Sequence, residues 1–218
     1  MNVLTVAESI NKIFYSYDYN ILSFLHKAAE SLGSFLTPLF NFLSLITEKG
    51  ILLLLIAIIL MLFKKSRKVG ICMFGAVCCG ALITNFTLKD LIARPRPFID
   101  ETSIFNTWWK FVGSPLESEF SFPSGHATSV AAAMISVMLV CKSKKKYLCI
   151  IPIVLIGMAR NYLMVHYPSD VLAGIVVGLI AALIAYLITN LIYKLLEKYS
   201  DKPFCKFVLK FDLKKLFS

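Results

Sequence analysis

Long apolar segments recur along this chain and restrict the folds that are open to it. Four of them, at residues 69–88, 124–141, 147–165 and 171–193, are 18 to 23 residues long and almost without charge. About 20 apolar residues in an α-helix are enough to cross a hydrocarbon core of ~30 Å. Together with a hydrophobic fraction of 58% over 218 residues, these segments exclude a soluble globular protein. The sequence predicts an all-α integral membrane protein that crosses the bilayer several times.

The number of spans depends on the arrangement of the N-terminal residues. Residues 50–63 form a shorter apolar segment, which predicts one further span. Upstream, residues 18–30 predict an amphipathic helix, and residues 31–47 are uncharged but contain a glycine and a proline. If residues 31–47 cross the membrane, the bundle has six spans, and if they lie in the outer interface it has five. We favour the interfacial arrangement, within a bundle of five to six transmembrane helices that has a long extracytoplasmic loop at residues 94–122.

Clusters of basic residues predict which ends of the spans face the cytoplasm. The net charge is +10, and 15 of the 23 Lys and Arg residues fall in residues 64–68, 142–146 and 194–215. These clusters share one side of the membrane if the spans alternate in direction. The positive-inside rule assigns that side to the cytoplasm. The basic residues are therefore topology signals in a multi-pass protein of the cell membrane, and no nucleic-acid partner is predicted.

The predicted topology divides the chain into three parts. Residues 1–48 form N-terminal membrane-associated helices, residues 49–198 a transmembrane core, and residues 199–218 a basic cytoplasmic tail. Two stripes recur at helical spacing in the tail: Phe204, Phe207, Val208 and Phe211, and Lys206, Lys210 and Lys214. This pattern predicts an amphipathic helix on the inner leaflet, bound by anionic lipid headgroups. A frayed basic tail accounts for the pattern equally well.

The extracytoplasmic ends of the spans carry charged and titratable residues. The predicted topology brings seven of them to one membrane depth, although up to 81 positions separate them in sequence: Lys89, Arg94, Arg96, His126, Arg160, His166 and Asp170. Ionisable groups at this depth are unfavourable and usually functional. Their shared depth predicts a single site at the outer interface.

Several of these residues are suited to holding a phosphate group. Lys89 supplies a point charge, while Arg96 and Arg160 supply planar guanidinium groups that match phosphate oxygens. Ser124 and Gly125 begin an apolar helix, whose free N–H groups and positive dipole end favour an anion. Gly125 has no side chain to block a close approach, and Ser124 adds a hydroxyl donor. For Arg94, a phosphate contact and a contact with the outer surface or lipid headgroups both remain open.

The histidines supply the groups needed for catalysis. Imidazole is the one side chain whose ordinary pKa lets it act as nucleophile, acid or base near neutral pH. Asp170 follows His166 by four residues, so that its carboxylate can accept the far N–H and leave the other nitrogen as a nucleophile. His126 can then protonate the leaving oxygen. This scheme requires neither a metal ion nor a cofactor.

The spacing of these residues resembles the three-part signature of the type 2 phosphatidic acid phosphatase superfamily. Residues 89–97 fit lysine, six residues and Arg-Pro, while residues 123–126 read Pro-Ser-Gly-His. Residues 160–170 fit arginine, five residues, histidine, three residues and aspartate. The resemblance covers roughly residues 60–193. One departure is Ala159, where the family commonly has a serine, so that one hydroxyl donor is absent.

The resemblance implies a six-helix bundle and a phosphohistidine intermediate on His166, relayed by Asp170. It implies that His126 protonates the leaving group and then activates water. It also implies that five residues hold the phosphoryl group without a metal: Lys89, Arg96, Ser124, Gly125 and Arg160.

By analogy with this family, the expected activity is hydrolysis of a membrane lipid phosphate on the extracytoplasmic side. Undecaprenyl diphosphate is the first substrate we expect, followed by phosphatidylglycerophosphate and phosphatidate. Two alternatives are a lipid phosphotransferase with the same nucleophile and a non-catalytic transporter or scaffold. Intact His126, His166 and Asp170 argue against the second alternative, because ionisable groups without a function are unfavourable at this depth.

Overall fold

The computed structural model describes residues 5–216, which form helices joined by loops, with no β-strand within that range. The α-helices are α1 (Val6–Ile46), α2 (Ile51–Leu62), α3 (Arg67–Ile83), α4 (Ile104–Phe111), α5 (Gly125–Val140), α6 (Ile150–Tyr162), α7 (Pro168–Lys198) and α8 (Pro203–Lys210). This architecture confirms the all-α prediction. Helices α2, α3, α5, α6 and α7 coincide with the five apolar segments of the sequence.

Helices α3, α5 and α7 form the centre of the bundle and pack closely through small residues. A Cβ atom on Gly178 of α7 would lie 2.6 Å from the Cβ of Ala131 in α5. A Cβ atom on Gly80 of α3 would lie 3.0 Å from Cγ2 of Thr128. Small residues at such crossings let helix backbones approach where no hydrophobic effect drives association.

The outer faces of these helices are apolar and exposed, as a bilayer requires. Along α7, Leu183, Leu187 and Leu191 all lie on the surface. Within residues 5–216, three helical stretches are long and apolar enough to cross a membrane, namely Val6–Leu62, Arg67–Ile92 and Pro168–Lys198, and Gly125–Val140 is a shorter apolar helix. The chain is therefore a multi-pass membrane protein.

Helix α1 lies across one end of the bundle. The sequence predicts separate segments at residues 18–30 and 31–47, but α1 is one helix of 41 residues that continues through an internal proline. Asp18 accepts a hydrogen bond from the backbone N–H of Ser169 at 2.8 Å, and the hydroxyls of Thr37 and Tyr162 are 2.8 Å apart. Both partners lie where α6 ends and α7 begins.

These contacts also determine the direction of α1. Asp18 and Thr37 are about 28 Å apart along a helix that rises 1.5 Å per residue, yet both touch the same end of the bundle. The helix therefore crosses this end instead of running the length of the bundle. Lys49 and Gly50, with φ of 50° and 68°, then turn the chain into α2. This geometry fits the interfacial arrangement of residues 31–47, and the choice between five and six spans stays a prediction.

The last turns of α3 change their helical form where they approach the site. After Ile83 the helix continues as a π-helical turn, Thr84–Leu88, and ends with Lys89–Ile92. A π-turn rotates the following side chains relative to an α-helix and often lies at functional sites. Asn85 and Lys89 both line a polar cavity at this end of the bundle.

The tail begins with α8 and is bound to the opposite end of the bundle. The guanidinium of Arg67 donates to the carbonyl oxygens of Val208 and Phe211, each at 2.5 Å. The side chains of Phe204 and Phe207 are exposed. The tail thus contains an ordered amphipathic helix, and its binding to anionic lipids stays a prediction.

Candidate active site

A cavity of about 410 Å³ opens at the end of the bundle that α1 crosses. Six of the eight residues predicted for the site line it: Lys89, Arg96, Gly125, His126, Arg160 and His166. Ser124 and Asp170 lie behind the wall, where both are buried. The fold thus brings together residues from α3, α5, α6 and the loops that follow them.

Three buried cations define one side of the cavity. Lys89, Arg96 and Arg160 come from the last turn after α3, the following loop and the last turn of α6, and each is at most 6% exposed. Burial of a charge is unfavourable unless an opposite charge lies nearby. Such a cluster therefore needs an anionic partner.

The outer loop supplies these partners, which sequence reasoning missed. Glu117 forms ion pairs with Arg160 and with Arg96, the latter at 3.3 Å, and Glu119 pairs with Lys89. Burial raises the pKa of Glu117, but the two arginines outweigh it and lower that pKa to about 2. The two carboxylates therefore balance the charges of the three buried cations.

His166 lies in the turn between α6 and α7 and is 1% exposed. Its Nε2 atom is 3.3 Å from Nη1 of Arg96, on the cavity side. Burial, and after it the charges of Arg96 and Arg160, hold the pKa of His166 well below 6.5. The ring is therefore neutral near pH 7, and an Nε2 lone pair faces the cations.

Ser121 stands between His166 and Asp170, which corrects the predicted direct hydrogen bond. The distance from Nδ1 of His166 to Oδ2 of Asp170 is 3.7 Å, beyond hydrogen-bonding range. The Ser121 hydroxyl donates to that Oδ2 at 2.5 Å and lies 3.4 Å from Nδ1. Oδ2 also accepts from the backbone N–H of Tyr167 at 2.9 Å, which ties it to the start of α7. Asp170 therefore reaches the histidine through a hydroxyl.

Ser124 and Gly125 shape the start of α5. The hydroxyl oxygen of Ser124 is the N-cap of α5 and accepts from the N–H of Ala127 at 3.5 Å. Donation of its O–H to phosphate stays a prediction. A Cβ atom on Gly125 would lie 3.9 Å from Nζ of Lys89. The glycine thus leaves the space beside the ammonium open. His126 follows at the cavity wall.

Arg94 takes neither of the positions that the sequence left open. Its side chain is 1% exposed and does not line this cavity. Nη1 donates to Oδ1 of Asp170 at 2.5 Å, and Nη2 donates to Oδ2 of Asp18 at 3.0 Å. It therefore contacts a predicted catalytic carboxylate instead of phosphate or headgroups.

Known proteins with similar sequences include several lipid phosphatases. An undecaprenyl-diphosphatase of Sulfolobus acidocaldarius is 31% identical over 118 residues, so the match spans about half the length of that relative, 53% of each chain. The undecaprenyl-diphosphatase BcrC of Bacillus subtilis is 30% identical, over 70% of this chain and 76% of its own.

Two solved structures and one sequence family also match. The transmembrane PAP2-type phosphatidylglycerolphosphate phosphatase of Bacillus subtilis has a TM-score of 0.62 and 28% identity, over 85% of this chain and 90% of its own. LpxE of Aquifex aeolicus has a TM-score of 0.55 and 25% identity, over 69% and 84%. The sequence profile of the PAP2 superfamily matches residues 68–194. Because that match covers more than half of the chain and includes every predicted site residue, the chain belongs to the PAP2 superfamily.

Proposed function

We propose that this protein is a membrane lipid phosphatase that removes the terminal phosphate from an isoprenoid diphosphate or a phospholipid phosphate. The observation that carries the proposal is the composition of the cavity. His126 and His166 line it together with the three buried cations Lys89, Arg96 and Arg160. The cations are paired with the carboxylates of Glu117 and Glu119. A phosphoryl group that displaces Glu117 and Glu119 would take over their ion pairs and lie beside Nε2 of His166.

The first step would transfer the phosphoryl group to His166. Nε2 attacks phosphorus, the bond from phosphorus to the lipid oxygen breaks, and His126 gives that oxygen a proton. Positive charge on the imidazole is stabilised through Ser121 by the carboxylate of Asp170, whose two oxygens are fixed by hydrogen bonds. Arg96 and Arg160 would stabilise charge on the phosphoryl oxygens as the transition state forms.

The second step would regenerate the enzyme. His126, neutral after the first step, takes a proton from water, whose oxygen attacks the phosphohistidine. The bond between phosphorus and Nε2 breaks, and inorganic phosphate leaves the cavity. Nucleophile, acid and base are thus all side chains of this chain, at the positions that the family resemblance implies.

Undecaprenyl diphosphate is the substrate that we propose first. Both undecaprenyl-diphosphatases named above act on this lipid according to their names. A diphosphate also carries more negative charge than a monophosphate ester, which favours displacement of two carboxylates from three cations. The cavity lies at the end of the bundle away from Lys64 and Lys145, so the active site would face the extracytoplasmic side.

The proposal is tested by phosphate release from purified protein in detergent with EDTA present. The substrates are undecaprenyl diphosphate, phosphatidylglycerophosphate and phosphatidate, each at the same surface concentration. We expect turnover with all three and the highest kcat/KM for the diphosphate. Release that needs an added acceptor would instead support the phosphotransferase, and no release under either condition would contradict both activities.

The low pKa of His166 predicts the acid limit of activity. The attacking nitrogen is free only when the ring is neutral, so protonation of His166 removes the nucleophile. Because its pKa is lowered, kcat/KM should persist as the pH falls through 6.5 and decline only at lower pH. The charge of Arg96 contributes to this lowering, so Arg96→Gln should move the decline to higher pH. The measurement is the pH profile of kcat/KM for both proteins with one substrate, and an unchanged profile in the variant would contradict the account.

A further inference from the structure

A group of buried polar residues behind the cavity connects the N-terminal helix to the site. At its centre is Arg94, which is the largest side chain with less than 2% exposure within residues 5–216. None of its nitrogen atoms faces the cavity cations or the loop carboxylates. Its contacts are with the turn that begins α7 and with α1.

On one side, Arg94 fixes the carboxylate of Asp170. Nη1 donates to Oδ1 at 2.5 Å, while Oδ2 accepts from the Ser121 hydroxyl and from the Tyr167 N–H at 2.5 and 2.9 Å. The guanidinium also lies over the ring of Tyr167, 3.9 Å from its centroid. Both oxygens of Asp170 are therefore held, and the carboxylate cannot rotate without the loss of a hydrogen bond.

On the other side, α1 fixes Arg94. Nη2 donates to Oδ2 of Asp18 at 3.0 Å, and Nε donates to Oδ1 of Asn11 at 2.8 Å. Asp18 in turn accepts from the backbone N–H of Ser169 at 2.8 Å and from its hydroxyl at 2.7 Å. Asn11 and Asp18 are seven residues apart, which is two helical turns, so one face of α1 supplies both contacts.

The charges of this group depend on the arginine. Asp170 is 0% exposed and Asp18 is 2% exposed, and Arg94 is the cation that touches both. A buried carboxylate that loses its paired cation is strongly unfavourable as an anion. Arg94 therefore favours the ionised form of Asp170, which can orient a histidine through a hydroxyl.

We propose that Arg94, anchored by Asp18 of α1, is a positioning residue for His166, acting through Asp170 and Ser121. Asp170 and Ser121 then fix the Nδ1–H tautomer, so that Nε2 presents its lone pair to phosphorus. The N-terminal helix is thereby part of the catalytic apparatus, although it contributes no group to the reacting atoms in this network. This inference rests on the proposed phosphatase activity.

A positioning role and a substrate-binding role give different kinetics. Arg94 lies outside the cavity, and the cations that would hold phosphate stay in place without it. Arg94→Gln should therefore lower kcat by about 10²-fold, the order expected when an orienting partner of a histidine is lost. KM should stay within about twofold, because ground-state binding is unchanged. Asp18→Asn should lower kcat less, by about tenfold, since Arg94 keeps its bond to Asp170.

The experiment compares these two variants with Arg94→Lys and with a matched control, Arg67→Gln. Arg67, like Arg94, is a buried arginine. Its guanidinium binds backbone carbonyls, and it lies at the opposite end of the bundle. Activity is expressed per folded protein, from the monodisperse fraction on size exclusion and the thermal midpoint. We expect Arg94→Lys to recover part of kcat by restoring the charge, and Arg67→Gln to keep the wild-type kcat. Wild-type kcat in folded Arg94→Gln, or a raised KM with unchanged kcat, would overturn the proposal.

A second measurement does not depend on turnover. Nitrogen-15 spectra of protein with labelled histidines report the tautomer of each ring, and the His166 signals are identified by their loss in His166→Ala. The wild type should show one Nδ1–H tautomer, and Arg94→Gln a mixture. An unchanged tautomer in the variant would overturn the proposal even if no lipid were hydrolysed, whereas a wild type without phosphate release would contradict the proposed function alone.

Discussion

His166→Ala should abolish phosphate release, with kcat lowered by at least about 10⁴-fold, as for other catalytic nucleophiles. Nε2 of this residue is the imidazole nitrogen beside Arg96, at 3.3 Å, and it is the proposed attacking atom. The fold should be retained, because His166 lines an existing cavity and alanine only enlarges it. Phosphate release from undecaprenyl diphosphate, at equal amounts of folded protein, is the measurement.

The third histidine provides a matched control for this loss. His26 lies in α1 and stacks on Trp108 with ring centroids 5.0 Å apart, away from the cavity. We expect His26→Ala to keep kcat within about twofold. Comparable losses in the two variants would mean that alanine disturbs the fold, and full activity in His166→Ala would show that the nucleophile is assigned wrongly.

Arg160→Ala should lower kcat/KM by about 10²- to 10³-fold, the usual effect of losing one preorganised donor to a developing anion. Arg160 is 2% exposed and pairs with Glu117, so it would contact the phosphoryl group once this carboxylate is displaced. Steady-state kinetics on the diphosphate substrate measure the loss. Arg160→Lys should recover only part of it, because an ammonium cannot make the two parallel hydrogen bonds of a guanidinium.

Substitution of Glu117 distinguishes two causes of the lower kcat/KM in Arg160→Ala. Removal of Arg160 also leaves the partly buried carboxylate of Glu117 with one arginine fewer, which could by itself disturb the site. Glu117→Gln alone should lower KM, since substrate no longer competes with a bound anion. The double variant Arg160→Ala with Glu117→Gln should remain impaired. Recovery of wild-type kcat/KM in the double variant would contradict a direct role for Arg160.

The spans could be predicted from the sequence because bilayer thickness sets a length and a composition that local residues reveal. The N-terminal region could not be resolved in the same way. Residues 31–47 are apolar enough to cross a membrane, and their position depends on contacts of Asp18 and Thr37 with residues more than 120 positions away. Gly33 and Pro38 suggested a break, but tertiary contacts hold α1 as one helix.

The sequence also predicted which residues meet in the cavity, because three spaced motifs follow the ends of three spans. It could not reveal how they are connected. Ser121 precedes the second motif without a distinctive neighbour, and only the 2.5 Å contact with Asp170 distinguishes it. Glu117 and Glu119 looked like ordinary loop residues, although two carboxylates close to an anion-binding motif could have suggested ion pairs. The contacts of Arg94 could not be predicted either, because its partner Asp18 lies 76 positions away in the sequence.

The most direct test of the proposed mechanism is to trap phosphate on His166. His126→Ala is mixed with undecaprenyl diphosphate labelled in its terminal phosphate and quenched in alkali, where phosphohistidine survives. His126 would activate the water, whereas the lipid monophosphate that leaves in the first step needs little protonation. The variant should therefore accumulate a labelled protein whose label is lost in acid and maps to His166, and His126→Ala with His166→Ala should remain unlabelled. Label at another residue, or phosphate release without any labelled protein at the earliest times, would contradict a phosphohistidine on His166.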